Sequence, residues 1–464
     1  MHTGVIAAIS TPPGKGGVAL IRVSGAGAVG IAGELFRPMS GKDITDYPER
    51  YAIYGEIICN GRRFDDGILT RFAKDRSYTG EEMVEISCHG GVLITRTILE
   101  ELFRLGANPA EAGEFTRRAF LSGKLSLTDA EAIGTLLEAK TEEQILLSSL
   151  PSRTRLAGEI AAIRASIVEL LGSIMARVDY PEEDLGDFTD AEVQERLLRV
   201  RESLTALIST YRTGRAINEG IDAVICGKPN VGKSTLYNAI LGEDAAIVTD
   251  TAGTTRDLLE HTATLGRVLV RLTDTAGIRP HALASEVERI GIDRARARVR
   301  AADLIIAVFD LTRPLDGEDR DILALLSECD GAKICLFNKS DDAVSVCLDT
   351  SEIPDIFDLT YTVSAKCSES DLIDKLSRGI DTLFTDERIS VTDSAIVASA
   401  RQHAALTRAL GFIDTALEAY RLGIPADAAS SDIELALGAL GEVDGRTVSD
   451  DVVSNIFSRF CVGK

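Results

Sequence analysis

A chain of 464 residues is long enough for about three domains. Its formal charge of −22 excludes binding to nucleic acid through a broad basic surface, so any such contact has to be local or shared with a partner. Eight scattered cysteines without paired spacing argue against a disulfide framework and a zinc site and point to a reducing compartment.

From the N-terminus, Val5 to Ile9 is too short for a signal peptide and lacks its basic flank, and no later stretch approaches a membrane span; the expectation is a soluble cytoplasmic protein. Residues 1–120 alternate strands and helices in an α+β manner. Gly4 to Ile9 and Val18 to Val23 read as strands joined by Thr11-Pro-Pro-Gly-Lys-Gly-Gly17, and Met83 to Cys88 as another that leads through His89-Gly-Gly91 into a helix from Val92 to Leu105. Gly25-Ala-Gly-Ala-Val-Gly30 matches a dinucleotide fingerprint, but no βαβ return with an acidic strand end follows about twenty residues on, and the match is set aside. His89-Gly-Gly91 is like an oxyanion loop but has no accompanying GxSxG elbow.

Residues 121–215 become helical. Ile160, Ile163, Ile167, Leu170, Leu171, Ile174 and Val178 mark one apolar face, and Val193, Leu197, Leu204, Ile208 and Tyr211 another. A short apolar strand from Ile221 then leads into Gly227-Lys-Pro-Asn-Val-Gly-Lys-Ser234 and a helix, which is the context GxxxxGK[ST] requires. Glycines at 227 and 232 let backbone N–H groups converge on an anion at the positive end of the helix. Lys233 would reach the β- and γ-phosphates and Ser234 would hold Mg²⁺.

Four more signals follow in the order of a nucleotide switch. Ile247 to Asp257 is rich in hydroxyls and has a hinge glycine, with Thr255 as the threonine linked to Mg²⁺. Asp274-Thr275-Ala276-Gly277 ends the strand that starts at Val268, so the carboxylate can support Mg²⁺ and the Gly277 N–H can sense the γ-phosphate. Asn338-Lys339-Ser-Asp341 follows the strand Lys333 to Phe337, and Asp341 suits the paired N–H donors on guanine's edge, which adenine lacks. Ser364-Ala365-Lys366 completes the set after Leu359 to Val363, making GTP the nucleotide. Where many GTPases carry a water-orienting glutamine after DxxG, this chain has Ile278; Glu286 and Glu288, two carboxylates shortly downstream, are the candidates for that task.

Helical periodicity resumes from Ser394 to Tyr420 and from Ser449 to Phe460, with Ser449 as a cap. Helices on either side of the GTP-binding segment are too few to close a bundle alone, so that segment is expected to be inserted into one helical domain. The terminal Cys461-Val-Gly-Lys464 is a poor prenylation signal, because lysine is a poor last residue and no polybasic run precedes it.

Together Thr11 to Gly17, Tyr78-Thr-Gly-Glu81, His89-Gly-Gly91, Gly113-Glu-Phe-Thr-Arg-Arg-Ala-Phe120, the P-loop, Gly253-Thr-Thr-Arg-Asp257, Asp274 to Arg279, Glu286 to Gly291 and the Cys461 ending resemble the tRNA modification GTPase MnmE (TrmE) family over essentially the whole chain. The resemblance implies an α+β N-terminal domain (1–120) that binds folate and dimerises, a discontinuous all-α domain (121–215 and 386–464) and an inserted α/β P-loop GTPase domain (216–385). It implies a potassium-stimulated GTPase that forms a homodimer and works with the flavoprotein MnmG. The reaction would modify C5 of the wobble uridine of certain tRNAs, by carboxymethylaminomethyl or aminomethyl addition, with a one-carbon unit from tetrahydrofolate in its 5-formyl or 5,10-methylene form.

By residue, the resemblance implies folate contacts from Arg22, Glu85, Lys124 and Lys464, a K⁺ site of Asn230, Thr249, Thr251 and Thr254, and water positioning by Glu288. Cys461 matches the family's terminal cysteine, its chemical role open. Val231 and Thr235 complete the expected nucleotide contacts around Gly227, Asn230, Gly232, Lys233 and Ser234. A ribosome-assembly or signalling switch shares the GTP motifs, but needs neither the folate residues nor Cys461.

Overall fold

Alternation of apolar and polar residues in the N-terminal segment is what a sheet covered on one face requires. In the computed structural model, which describes residues 4–179, 189–242, 261–274, 296–342, 347–367 and 369–463, the chain forms two compact units, Met1–Glu138 with Asp427–Lys464, and Ala139–Ala426. The first holds seven strands: β1 (Ile6–Ile9), β2 (Val18–Ser24), β3 (Phe36–Pro38), β4 (Ile53–Cys59), β5 (Arg62–Phe72), β6 (Met83–His89) and β7 (Asn108–Pro109), in the order β3-β4-β5-β6-β2-β1-β7. Ile21, Val23, Val84 and Ile86 point to the covered face and pack with Ile98 and Leu102 of the helix Val92–Arg104. The opposite phase of the same strands sets Arg22 beside Glu85. Both neighbours of β2 are antiparallel, so Gly25–Gly30 lacks the parallel return of a dinucleotide fold.

Two C-terminal helices belong to this unit. Asp450–Ser458 lays Val453 and Phe457 on Leu127 and Ala130, and Thr128 Oγ1 donates to the Val443 carbonyl at 2.9 Å in the helix Ala426–Asp444. Ser449 occupies the cap position, yet its side chain makes no capping bond; Asp450 and Asp451 in the first turn complement the helix dipole instead.

In the second unit the predicted face of the helix Leu150–Asp179 is buried from Ile160 through Ile174; the Val178 side chain lies outside the described residues. In the helix Asp190–Ser209 the buried set is Val193, Leu197, Val200, Leu204 and Leu207. Ile208, expected in that set, is half-buried, because the seam repeats at three and four residues and the next position lies about 100° around the helix. The helix Ala400–Arg421, capped by Ser399, packs against Asp190–Ser209, with an Arg201–Asp414 ion pair at 2.7 Å. Tyr211 stacks on His403 with ring centroids 4.0 Å apart. The helical halves that flank the inserted domain in sequence therefore meet in space.

The inserted domain is a six-stranded sheet of β8 (Ile221–Cys226), β9 (His261–Leu265), β10 (Val268–Asp274), β11 (Leu304–Asp310), β12 (Ala332–Asn338) and β13 (Leu359–Thr362), ordered β13-β12-β11-β8-β10-β9. All pairs are parallel except β9 with β10. Apolar clusters cover both faces, and β11 is buried along its whole length, as a strand between two parallel neighbours and under two helical layers must be. Parallel strands send their carboxyl ends to one edge, so Cys226, Asp274, Asp310 and Asn338 arrive together where such sheets bind ligands.

Candidate functional site

The loop after β8 is shaped by three residues with left-handed backbone: Gly227 at φ 146°, Asn230 at 65° and Gly232 at 105°. Gly232 has no alternative, since a Cβ there would lie 2.2 Å from Asn338 Nδ2. Helix Lys233–Leu241 starts directly after it, which leaves Ser234 and Thr235 exposed in the first turn while Val231 packs into the core. Lys233 Nζ donates to the carbonyls of Gly227 and Lys228, both at 2.8 Å.

Asn338 joins the loops. Its Nδ2 donates to the Val231 carbonyl at 2.8 Å and its Oδ1 accepts from the Ala365 N–H at 3.0 Å, both in the buried interior. Next to it, Lys339 pairs with Asp310 at 2.6 Å. Burial works against the Asp310 charge, but Lys339 and Thr312 outweigh it and hold the carboxyl below its ordinary range. Asp341 is held by Ser364, whose hydroxyl donates at 2.7 Å, and the Cys367 thiol donates to the other oxygen at 3.6 Å. The Ser364 bond keeps Asp341 below the usual carboxylate range, so it remains an anionic acceptor. Lys366 is exposed beside it.

On the N-terminal sheet Arg22 Nε donates to Glu85 Oε1 at 2.8 Å and the guanidinium lies 5.2 Å from the Tyr78 ring centroid. Lys124 donates to the Asp75 carbonyl at 2.7 Å, beside the loop of Tyr78 to Glu81. Arg118, buried under that loop, binds Glu81 at 2.9 Å and Glu114 at 2.8 Å. The chain's end comes to the same unit. Val462 bridges Ala112, the Gly113 N–H donates to the Cys461 carbonyl at 3.4 Å, and Ser10 Oγ donates to the Gly463 carbonyl at 2.9 Å. Cys461 is an exposed free thiol. A carboxylate with a cation beside it suits a pterin's paired donors and an anionic tail, so these side chains fit a folate.

The family model for the MnmE helical domain matches residues 127–461, and that for the GTP-binding protein TrmE N-terminus matches residues 5–124. The proteins called tRNA modification GTPase MnmE from Acetivibrio thermocellus and Thermotoga maritima are each 38% identical to this chain, and that from Clostridioides difficile is 36% identical, over 99% of both chains in each pair. The chain belongs to the MnmE family of tRNA modification GTPases. As an MnmE-family protein it has an α+β N-terminal domain, a discontinuous helical domain and an inserted P-loop GTPase domain, and it binds and hydrolyses GTP.

Of the residues expected from sequence, Asp274 is described in its backbone alone, at the end of β10. Thr249, Thr251, Thr254, Thr255, Thr275, Ala276, Gly277, Glu286, Glu288 and Lys464 lie outside the described residues. Sequence reasoning missed Asp310, Lys228 and β11. The run Leu304-Ile-Ile-Ala-Val-Phe-Asp310, apolar until a terminal carboxylate, carried the signal of a buried strand with a site residue at its end. Among the described residues no helix is long and apolar enough to cross a membrane.

Proposed function

We propose that this chain is a potassium-stimulated GTPase of the cytoplasm that acts as a homodimer with a flavoprotein partner, MnmG. Together they add a carboxymethylaminomethyl or aminomethyl group at C5 of the wobble uridine of certain tRNAs, drawing a one-carbon unit from tetrahydrofolate. The observation that carries the nucleotide half is the Asn338 brace. One buried amide holds the P-loop carbonyl of Val231 and the Ala365 N–H, so phosphate and base segments form one site.

Lys233 would then meet the terminal phosphates and Asp341 the guanine edge. Ser234 and Thr255 would hold Mg²⁺, with Asp274 supporting it, and Asn230, Thr249, Thr251 and Thr254 would hold K⁺. When bound, these cations supply positive charge against the charge that develops on the phosphates. Glu288 would orient the attacking water. Residues 1–120 would dimerise and bind folate through Arg22 and Glu85, with Lys124 and Lys464 for the glutamate tail; Cys461 stands three residues before that lysine.

Hydrolysis by the purified protein is expected to rise at least about tenfold, or about 1.4 kcal/mol of barrier, when K⁺ replaces Na⁺ at equal ionic strength. Equal rates in the two salts would remove the potassium assignment and leave the GTPase itself standing.

A further inference from the structure

The second residue of the P-loop carries a buried cation that the nucleotide reading does not use. The Lys228 side chain is 3% exposed, and its ammonium pairs with Asp316 and, at 2.8 Å, with Asp319. Asp316 caps the helix Gly317–Ser327, accepting from the N–H groups of Glu318 and Asp319 at 3.0 and 3.3 Å, while Asp319 accepts from the Asp316 N–H at 3.1 Å. The helix end that this ion pair braces follows β11, so it belongs to a different part of the domain from the P-loop. Burial disfavours the Lys228 charge, but the two carboxylates outweigh it and leave the ammonium above its ordinary value.

The backbone of the same residue faces the chemistry. The Lys228 carbonyl is one of the acceptors that hold Lys233 Nζ. Anchoring the Lys228 side chain therefore fixes the place of an oxygen that orients Lys233.

We propose that Lys228, braced by Asp316 and Asp319, is a positioning residue for the phosphate-binding Lys233. The proposal rests on the reading of Lys233 as the residue that meets the terminal phosphates. An ion pair that served only to cap the helix would change stability and nothing at the nucleotide. One that acts through Lys233 has no effect once Lys233 is gone.

The test compares four full-length proteins, the parent, Lys228→Met, Lys233→Ala and the double variant. GDP affinity is read by displacement of a fluorescent GDP analogue, well below each protein's melting temperature. Lys233→Ala is expected to weaken GDP at least about tenfold, and Lys228→Met about five- to tenfold in the parent but less than about twofold in the Lys233→Ala background. Lys228→Arg, which keeps a cation able to reach both carboxylates, is expected to come within about twofold of the parent. Equal losses in both backgrounds, or a lowered melting temperature with unchanged affinity, overturn the proposal. Unchanged affinity in Lys233→Ala instead removes the premise about Lys233. Should Lys228→Met fail to fold, Asp316→Asn, which still caps the helix but weakens the ion pair, enters the same cycle with the same criteria.

Discussion

Asp341 combines two properties that base recognition needs: it stays charged and it is held in place by Ser364. Asp341→Asn keeps an oxygen for Ser364 but loses the anion and one of the acceptors that guanine's two N–H donors require. Loss of two charge-assisted bonds corresponds to roughly a hundredfold loss of GTP affinity. Xanthosine triphosphate, which carries a carbonyl where guanine has its amine, is expected to gain, and nucleotide competition measures both. Unchanged GTP affinity would take Asp341 out of the site. Because the carboxyl is held below its ordinary range, its contribution is complete above that range and is lost only as pH falls through the lowered value. At this scale the motif letters were legible in the sequence and their partners were not. Nothing in the order of residues says that Gly232 must be glycine because Asn338 sits against it.

Among the elements, the β9–β10 turn is tied to the helix Glu369–Phe384. The Arg267 N–H donates to Asp381 Oδ1 at 2.9 Å, and the Arg267 guanidinium donates to the Ile389 carbonyl at 3.2 Å. Burial pushes the Asp381 carboxyl up despite that bond and the nearby Arg267 charge. A raised carboxyl means that the folded chain holds the proton more tightly than the unfolded one, so ionisation costs stability above the raised value and costs nothing below the unfolded one. Asp381→Asn, which retains an acceptor for the Arg267 N–H, is therefore expected to melt at the same or a higher temperature than the parent near neutral pH, with any gain shrinking as the pH falls. Thermal melts across pH measure this, and a clear drop at neutral pH would show that the charge itself stabilises the turn. Long helices and the P-loop strand were readable from periodicity. The fully buried β11 was passed over, since a short apolar run carries no period that separates strand from buried helix.

On the scale of the whole chain, the unit that carries Arg22 and Glu85 is built from both ends of the sequence. Its closing contact is Gly463, whose φ of 96° and lack of a Cβ let it lie against the Ile9 carbonyl, which an added Cβ would approach to 2.4 Å. Gly463→Ala forces the tail out or strains it by about 1 to 3 kcal/mol. Folate affinity, read by titration, is expected to fall roughly tenfold or more, with GTP hydrolysis within about twofold of the parent. Unchanged folate affinity would separate the tail from that site.

The sequence alone determined the nucleotide chemistry, because a phosphate cradle and a guanine acceptor are local constructions set by a few residues at fixed spacing. It also determined the helical faces, whose three- and four-residue period is written in consecutive positions. What only the tertiary structure decided are the long-range joins: Asn338 between two loops, Lys228 on Asp316 and Asp319, and Gly463 on Ile9 and Ser10. Each links segments far apart in the chain, and a contact whose partners are brought together only by packing leaves no period or spacing for the sequence to display.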